Sequence, residues 1–562
     1  MMRLILLLCG VIAAFTGYST TYIVDSEEMF HDVQEEAAAG DSIIWESGEY
    51  VHVELDIDRD SLYISAMELG ATIFTGTSAV DISGDHIVFR GFQFVEGDVG
   101  NGDIVNITGS HILFTEINIR AFESFKYLRV RESSQYVTIS YCNFENRINL
   151  DDQNILSILV SNNQPGYHKI QYCSFKNFDG GGRDDGIEPI RIGLSTQADR
   201  ISRTLVEYCY FTQCNGDGEI ISSKASQNVY RYNTFDDNPL AELVLRHGSE
   251  AIVYGNFFLN GMGGVRVREG QQHYIYNNYF ENLQQRAIFL QNDDSDRLDD
   301  INIAFNTIVN CGEVRLGRGA DEPTNVTFAN NIFADPKDSN LFQDATGTEQ
   351  WFANIALGSL GFTMPTGLTE EDPLLTQNSL GFFVLDAASP AIDAAQDGFK
   401  ALPQFEGMDA IDTALELDIM QQTRPTDIAM RDIGCTEYPS IDTLQPYATE
   451  DNTGPHYDTD VSTSVTEVNR TSQPWQTRVY PSPAVDQVTV EVVAEEVVDL
   501  SLRVYDGQGR VVRTLPTWRQ MVGSTSRVIP LVDLPSGTYL LRLESSQHGR
   551  VSGSETIQVI KI

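Results

Sequence analysis

The chain reads as an all-β protein: a right-handed, single-stranded parallel β-helix, followed by a linker and a small β-sandwich domain. Three observations predict this. A strand-like phrase recurs between residues 86 and 332, from "HIVFRGFQF" through "YVTISYCNF", "NVYRYNTF" and "HYIYNNYF" to "NVTFANNI", its last residue returning every 22 to 36 positions. Two residues before that end stands either cysteine or asparagine: Cys142, Cys173, Cys209, Asn233, Asn256, Asn278, Asn306 and Asn330. The last 85 residues instead break into short alternating runs parted by Pro, Asp-Gly and Ser-Gly turns.

Each element follows in order. Residues 1–20 have the layout of a signal peptide, with Arg3 ahead of an apolar run from Leu4 to Phe15 and then small or polar residues. That run is too short to span a bilayer, and no later segment is apolar enough for a transmembrane helix. Residues 21–438 are the expected solenoid, opened by "AAAGDSIIWESGEY" (37–50) and closed near "RDIGCTEY" (431–438). A repeat in the low twenties with strand-like alternation means one coil per repeat. Equivalent positions then lie roughly 4.8 Å apart, so the cysteines and asparagines stack inward as one ladder. This gives a packing role to the cysteines that remain once Cys9 leaves with the signal, whose spacing suits neither a disulfide scaffold nor a zinc site. Residues 439–477, rich in Thr, Ser, Asp and Pro without apolar periodicity, read as a linker. Residues 478–562 give the alternating strands of the sandwich.

A formal net charge of −43 excludes nucleic acid or an anionic membrane as the expected partner. It also makes any local gathering of cations conspicuous. "GDGEIISSKAS" (216–226) and "LVLRHGS" (243–249) place Lys224 and Arg246 22 residues apart, about one coil, so both can project into one groove. Asp217 and Glu219 alternate by two and are expected on one strand face. One longer coil upstream, "RDDGIEPIRIG" (183–193) brings Asp185, Glu188 and Arg191 to the same edge. Carboxylates converging beside a lysine and an arginine offer oxygen ligands suited to a hard cation such as Ca²⁺.

At these residues the chain resembles polysaccharide lyase family 6, the β-helical lyases that include alginate lyases and chondroitinase B. The resemblance runs over most of residues 22–438 and rests on "GIEPIRIG", "GDGEIISSKAS", "LVLRHGS", "GGVRVREGQQHYIYNNYF" and "DIGCTEY" in that order. It implies Lys224 as the Brønsted base, Arg246 as the catalytic arginine, and Glu219, Asp217 and Asp185 as Ca²⁺ ligands. Asp217 stands where the family usually has glutamate and Asp185 where it has asparagine, which leaves a metal-free variant as the competing expectation. The implied reaction is β-elimination across a 4-linked uronate, with alginate, and mannuronate-containing linkages in particular, as the expected acidic polysaccharide. Dermatan sulfate is the alternative substrate. A silent polysaccharide-binding β-helix and a pectate-lyase-like enzyme are the alternative classes.

Around that pair, Arg191, His247, Arg266 and Arg268 are candidate substrate contacts; Arg266 and Arg268 alternate as strand residues and suit bidentate binding of uronate carboxylates. His273 starts a coil, as His86 and His111 do, and is expected to be structural. At the other end "YPSP", "VYDGQGR", "LPSGTYLLRL" and the terminal "VIKI" resemble the C-terminal sorting domain of the type IX secretion system. That likeness implies export, with the secretion machinery as a partner and a secreted or cell-surface location; the alternative reading of these strands is a carbohydrate-binding sandwich.

Overall fold

Runs of three to five residues, alternating or continuously apolar, are too short to stand alone and gain stability only by stacking on copies of themselves. The computed structural model shows them doing so. It describes residues 19–457 apart from 149–153, 184–185, 293–297, 320 and 442–446, together with residue 459 and most of 475–561. Two parallel sheets of 14 strands and one of 12 wrap around a common core, each coil giving one strand to each sheet. Between sheets the chain turns sharply, and ordinary residues take the left-handed conformation there: His86, His111, Tyr136, Tyr167, Arg203 and Gln227 hold φ between 52° and 61° at one corner. Their side chains stack outside, with ring centroids 4.5 Å apart for His86 and His111 and 4.9 Å for His111 and Tyr136.

The inner ladder sets the register. Cys142, Cys173 and Cys209 stack and are buried free thiols. The Cys209 amide then donates to Asn233 Oδ1 at 3.0 Å, and from there each asparagine oxygen accepts both the backbone N–H and the side-chain amide of the asparagine before it: Asn233 to Asn256, Asn256 to Asn278, Asn278 to Asn306. The expected last member is off by one. Asn306 donates to Asn331, which continues to Asn354, whereas Asn330 has φ 57° and bonds the Gln396 carbonyl. Two adjacent asparagines left the alignment ambiguous, and strand register chose the second. Beside the ladder, Phe144, Phe175, Phe211, Phe235, Phe258 and Phe280 stack inward at 4.7–5.0 Å. Each such pair contributes about 0.5–1.5 kcal/mol beyond burial.

Both ends differ from the sequence reading. The first coil is covered by a helix, Glu27–Glu36, with Glu27 and Glu28 at its positive N-terminal turn and Phe30 buried 5.9 Å from Trp45. It shields an otherwise open solenoid end. Regular coils stop at Leu368–Glu370, well before 431. From there to Tyr438 the chain loses the repeat and packs on the outside, joined by a buried Arg424 that bonds Glu437, Asn277 Oδ1 (2.9 Å) and the Gly434 carbonyl (3.0 Å) and lies over Phe305. Part of the expected linker is also seated on the coils. His456 pairs with Glu116, and Tyr457 donates its hydroxyl to the Phe92 carbonyl at 3.0 Å while its ring lies against Gly70, where a β-carbon has no room.

The C-terminal unit, described by itself, has antiparallel sheets of three and four strands, the first strand being Trp475–Tyr480. Val488, Val490, Val492, Leu500, Leu502 and Val504 alternate into its core.

Asn256→Ala removes one rung and leaves the Asn233 amide without its acceptor. It is expected to destabilise the solenoid by about 1–3 kcal/mol, read as an earlier denaturant midpoint; an unchanged midpoint would contradict the ladder's role.

Candidate functional site

The 12-stranded sheet carries the polar outward face. In its central strands alternate residues point into the core, such as Ile190 and Ile192, Leu243 and Leu245, Val265 and Val267, so the residue between each pair must point out. Register aligns these outward residues as one row: Arg129, Ser157, Arg191, Ser222, Val244, Arg266, Phe289 and Arg315. Just past the strand ends a second row forms. The Lys224 amide donates to the Ile192 carbonyl (2.8 Å), that of Arg246 to Ser223 (2.7 Å) and that of Arg268 to Leu245 (2.8 Å). Lys224, Arg246 and Arg268 therefore occupy matching places on successive coils, the arrangement expected from the 22-residue spacing.

Carboxylates lie beneath these cations. Glu188 receives Arg191 in a two-pronged contact, Nε to Oε1 at 3.1 Å and Nη2 to Oε2 at 2.6 Å, and lies 4.0 Å from Lys224 Nζ. Glu219 receives Arg246 Nη1 at 2.9 Å and the Ser222 hydroxyl at 2.5 Å, with Arg268 3.9 Å away. Glu242, which the sequence reading passed over, lies 3.9 Å from Arg266 and 4.0 Å from Arg286. Asp217 and Glu219 do not share a strand face. Asp217 ends the strand Tyr210–Asp217 of a larger sheet, Glu219 begins Glu219–Ser223 of the 12-stranded one, and the chain bends at Gly218 between them. Asp217 accepts the amides of Gly186 (2.6 Å) and Glu219 (2.9 Å).

Burial and crowding shift the titrations. Burial, then the charge of Arg191, lowers the pKa of Lys224. Burial and the neighbouring Glu188 push Asp217 up to about 7. Burial likewise raises Glu242 to about 7 against the pull of Arg286 and Arg266. Further along the sheet Lys126, bonded to Asn154 Oδ1, is pushed down to about 7 by burial first and by Arg191 and Arg129 next. The site thus holds a half-buried lysine of lowered pKa beside a guanidinium, with carboxylates packed under both.

Asp185 lies outside the described residues. Among those described, no three Asp, Glu, His or Cys side chains gather as a metal-binding set. Asp217 and Glu219 nevertheless present the oxygen-only donors that a hard cation takes, and the raised pKa of Asp217 marks a carboxylate short of positive charge.

His247 adjoins Arg246 and pairs through Nδ1 with Glu269, a fully buried carboxylate absent from the sequence reading. A buried carboxylate on Nδ1 fixes the imidazole's orientation and leaves Nε2 as its other functional atom. His273 is structural, though not in the manner of His86 and His111. Gln272 occupies their left-handed corner, while His273 is buried one residue later, accepting the Ala251 amide at 3.2 Å, as His168 accepts that of Val137. Lys126, Arg129, Arg286, Arg315 and Phe289 also went unremarked. The signal of Arg129, Phe289 and Arg315 was the same outward register, visible only once the irregular coil lengths are aligned.

Arg191→Ala removes the largest charge that lowers the pKa of Lys224, so the ammonium form gains and the titration midpoint of Lys224 moves upward. Carbon-13 NMR of the lysine ε-carbon reads this without reference to activity; an unmoved or lowered midpoint would contradict the assignment of that field.

Comparison with known proteins agrees with this architecture. The chondroitinase B family profile matches residues 24–311, and that of the secretion-system C-terminal sorting domain matches 478–555. Among solved structures, the alginate lyase AlyGC of polysaccharide lyase family 6 is 22% identical, with a TM-score of 0.59 over 66% of this chain and 56% of its own. A variant of the same enzyme is covered over 60% of its length, so this chain spans less than two thirds of those relatives. A mannuronic acid specific family 6 lyase from human gut microbiota is 23% identical, with a TM-score of 0.54 over 60% of this chain and 86% of its own. A family 6 alginate lyase in complex with a trisaccharide is 16% identical, with a TM-score of 0.54 over 66% of this chain and 91% of its own. These identities speak for the fold. No curated protein matches the chain. Among the described residues no helix is long and apolar enough to cross a membrane. With its family profile matched across more than half its length, the chain belongs to the chondroitinase B family: a polysaccharide lyase family 6-like β-helix that carries a type IX secretion sorting domain and is exported through it.

Proposed function

We propose that the protein is a polysaccharide lyase that cleaves 4-linked uronate polymers by β-elimination, with alginate, and mannuronate-containing linkages in particular, as its substrate. The observation that carries this reading is the placement of Lys224 beside Arg246 on adjacent coils, with burial and Arg191 favouring the neutral amine.

Elimination removes the proton on C5, forms the C4–C5 double bond from that electron pair and breaks the bond from C4 to the glycosidic oxygen. A neutral Lys224 Nζ takes the C5 proton. Arg246, held on Glu219, faces the charge that grows on the departing oxygen; its own proton is too tightly bound to give up, so the oxygen is protonated through a water that regains its proton from the Lys224 ammonium. Arg191, Arg266 and Arg268 bind uronate carboxylates and set the sugar's register, and His247, oriented by Glu269, offers Nε2 as a further contact. No hydrolytic water enters, which separates this chemistry from that of paired-carboxylate glycosidases. Asp217 and Glu219, with Asp185, would hold a Ca²⁺ ion, which when bound supplies positive charge to the uronate carboxylate and so acidifies C5. The sorting domain supplies the secretion machinery as partner.

The test is ultraviolet absorbance of unsaturated uronate ends released from alginate, with dermatan sulfate in parallel. Product from alginate supports the reading, product from dermatan sulfate alone redirects the substrate, and silence on both rejects the lyase. Lys224→Ala is expected to lower turnover by roughly 10²–10⁴-fold, the usual worth of a general base, with folding intact by circular dichroism. Because the amine must be neutral, kcat/KM should rise with pH and level off above the lysine's lowered pKa; a rate that falls through that range contradicts Lys224 as base. Excess chelator should lower both turnover and the thermal midpoint if the carboxylates hold Ca²⁺; if neither changes, the ion has no part in the site.

A further inference from the structure

A chain with a net charge of −43 concentrates cations along one sheet. We propose that this face is a trough for a long polyanionic saccharide that extends several coils to either side of Lys224 and Arg246, and that the polymer is therefore cut internally rather than from an end. The proposal rests on the lyase reading and adds to it the length of substrate engaged and the mode of cleavage.

The outward row shows the symmetry. Its middle is Ser222 and Val244, flanked by Lys224 and Arg246. Three strand spacings one way, roughly 14 Å, lead from Ser222 to Arg129, and three the other way lead from Val244 to Arg315; end to end the row covers roughly 34 Å. Both ends are built alike. At one, Lys126 Nζ and the Arg129 guanidinium lie 4.6 and 5.0 Å from the ring centre of Phe125, and Asp103 anchors Arg129 at 2.8 Å. At the other, Arg266, Arg286 and Arg315 lie 5.6, 4.3 and 5.9 Å from the ring centre of Phe289, and Glu313 anchors Arg315 at 3.1 Å. A ring and an anchoring acid hold each guanidinium in place, so little rotamer freedom remains to be lost on binding.

The sign of the field at the surface follows from depth. Glu188, Glu219 and Glu242 have side chains only 2–4% exposed, whereas those of Arg191, Arg246, Arg266 and Arg315 are 18–22% exposed. A ligand approaching from solvent meets the cations first. Beyond Arg129 the row changes to Asn106 and then to the exposed Asp81 and Asp56, and at the far end the half-exposed Asp344 sits 3.1 Å from Arg315. Carboxylates therefore bracket the trough. Cations recurring at every second or third strand of the row match an extended polyanion, whereas one small anion would use only one of them; many weak contacts in series give affinity that depends on chain length. An enzyme acting from chain ends needs binding sites chiefly on one side of its reacting pair, and here, among the described residues, cations run to both sides.

Binding is measured in the full chain carrying Lys224→Ala, by fluorescence anisotropy with end-labelled long alginate and with a short alginate oligomer. Adding Arg129→Ala or Arg315→Ala should each weaken the long polymer by about tenfold, as for loss of one charge-assisted contact, and change the short oligomer less than twofold. Arg129→Lys, which keeps the charge, should restore most of the loss and so separates lost contact from misfolding. Equal effects on both lengths, or on neither, overturn the trough. In the unmutated protein the viscosity of alginate should drop well before unsaturated ends accumulate; a fall strictly in step with those ends overturns internal cleavage. Failure of the lyase reading is distinguishable, since it yields no unsaturated ends from any polymer while the length dependence of binding still reports on the trough.

Discussion

The hydrogen bonds that tie Asn233 to Asn256, Asn256 to Asn278 and so on to Asn354 run at the corner between the two 14-stranded sheets. Each oxygen holds two donors from the coil before it, so a coil can neither slip nor rotate without leaving buried amides unpaired. This constraint places the chemistry. The same coil-to-coil stacking pairs the strands of the 12-stranded sheet, whose own backbone bonds put Lys224 on the same rung position as Arg246. The cysteines occupy the same inward position earlier in the solenoid as buried free thiols.

Such rigidity permits an arrangement that a looser fold would not hold. Glu188, Glu219 and Glu242 are buried beneath Arg191, Arg246, Arg266 and Arg286, which lie within 4.0 Å of them. Where burial outweighs such pairing the pKa shifts: Asp217 and Glu242 rise to about 7 and Lys126 falls to about 7. Lys224 shares this environment. Its lowered pKa is thus a property of the whole layer, set by burial and by Arg191 one coil away, with no single dedicated partner. Acids below and cations above also explain how a strongly acidic chain can turn a row of cations outward on one sheet.

Legibility in the sequence tracked periodicity. The coil-to-coil spacing and the pairing of Lys224 with Arg246 could be read because both depend on counting residues in a nearly constant repeat. The Asn331 rung was missed by one, because "ANNI" offers two asparagines and counting alone has no reason to prefer the second. Asp217 and Glu219 were placed on one strand because alternation by two is blind to a bend at Gly218. Glu269 beneath His247 and the guanidiniums over Phe289 were invisible, since coils of 22 to 36 residues carry insertions of unmarked position and hide which outward residues meet.

By itself, then, the sequence determined the things that follow from short-range repetition: strands, coils, the inward ladder, a separate C-terminal sandwich, and which cation lies one coil from which. The tertiary structure alone decided where the solenoid is sealed, by Phe30 on Trp45 at one end, and how its flank is covered, by Arg424 drawing residues 371–438 onto the coils. It alone decided that acids lie under cations. Those outcomes depend on depth and on contacts between residues with no periodic relation, and burial is what converts a listless run of charges into shifted pKa values and a directed field.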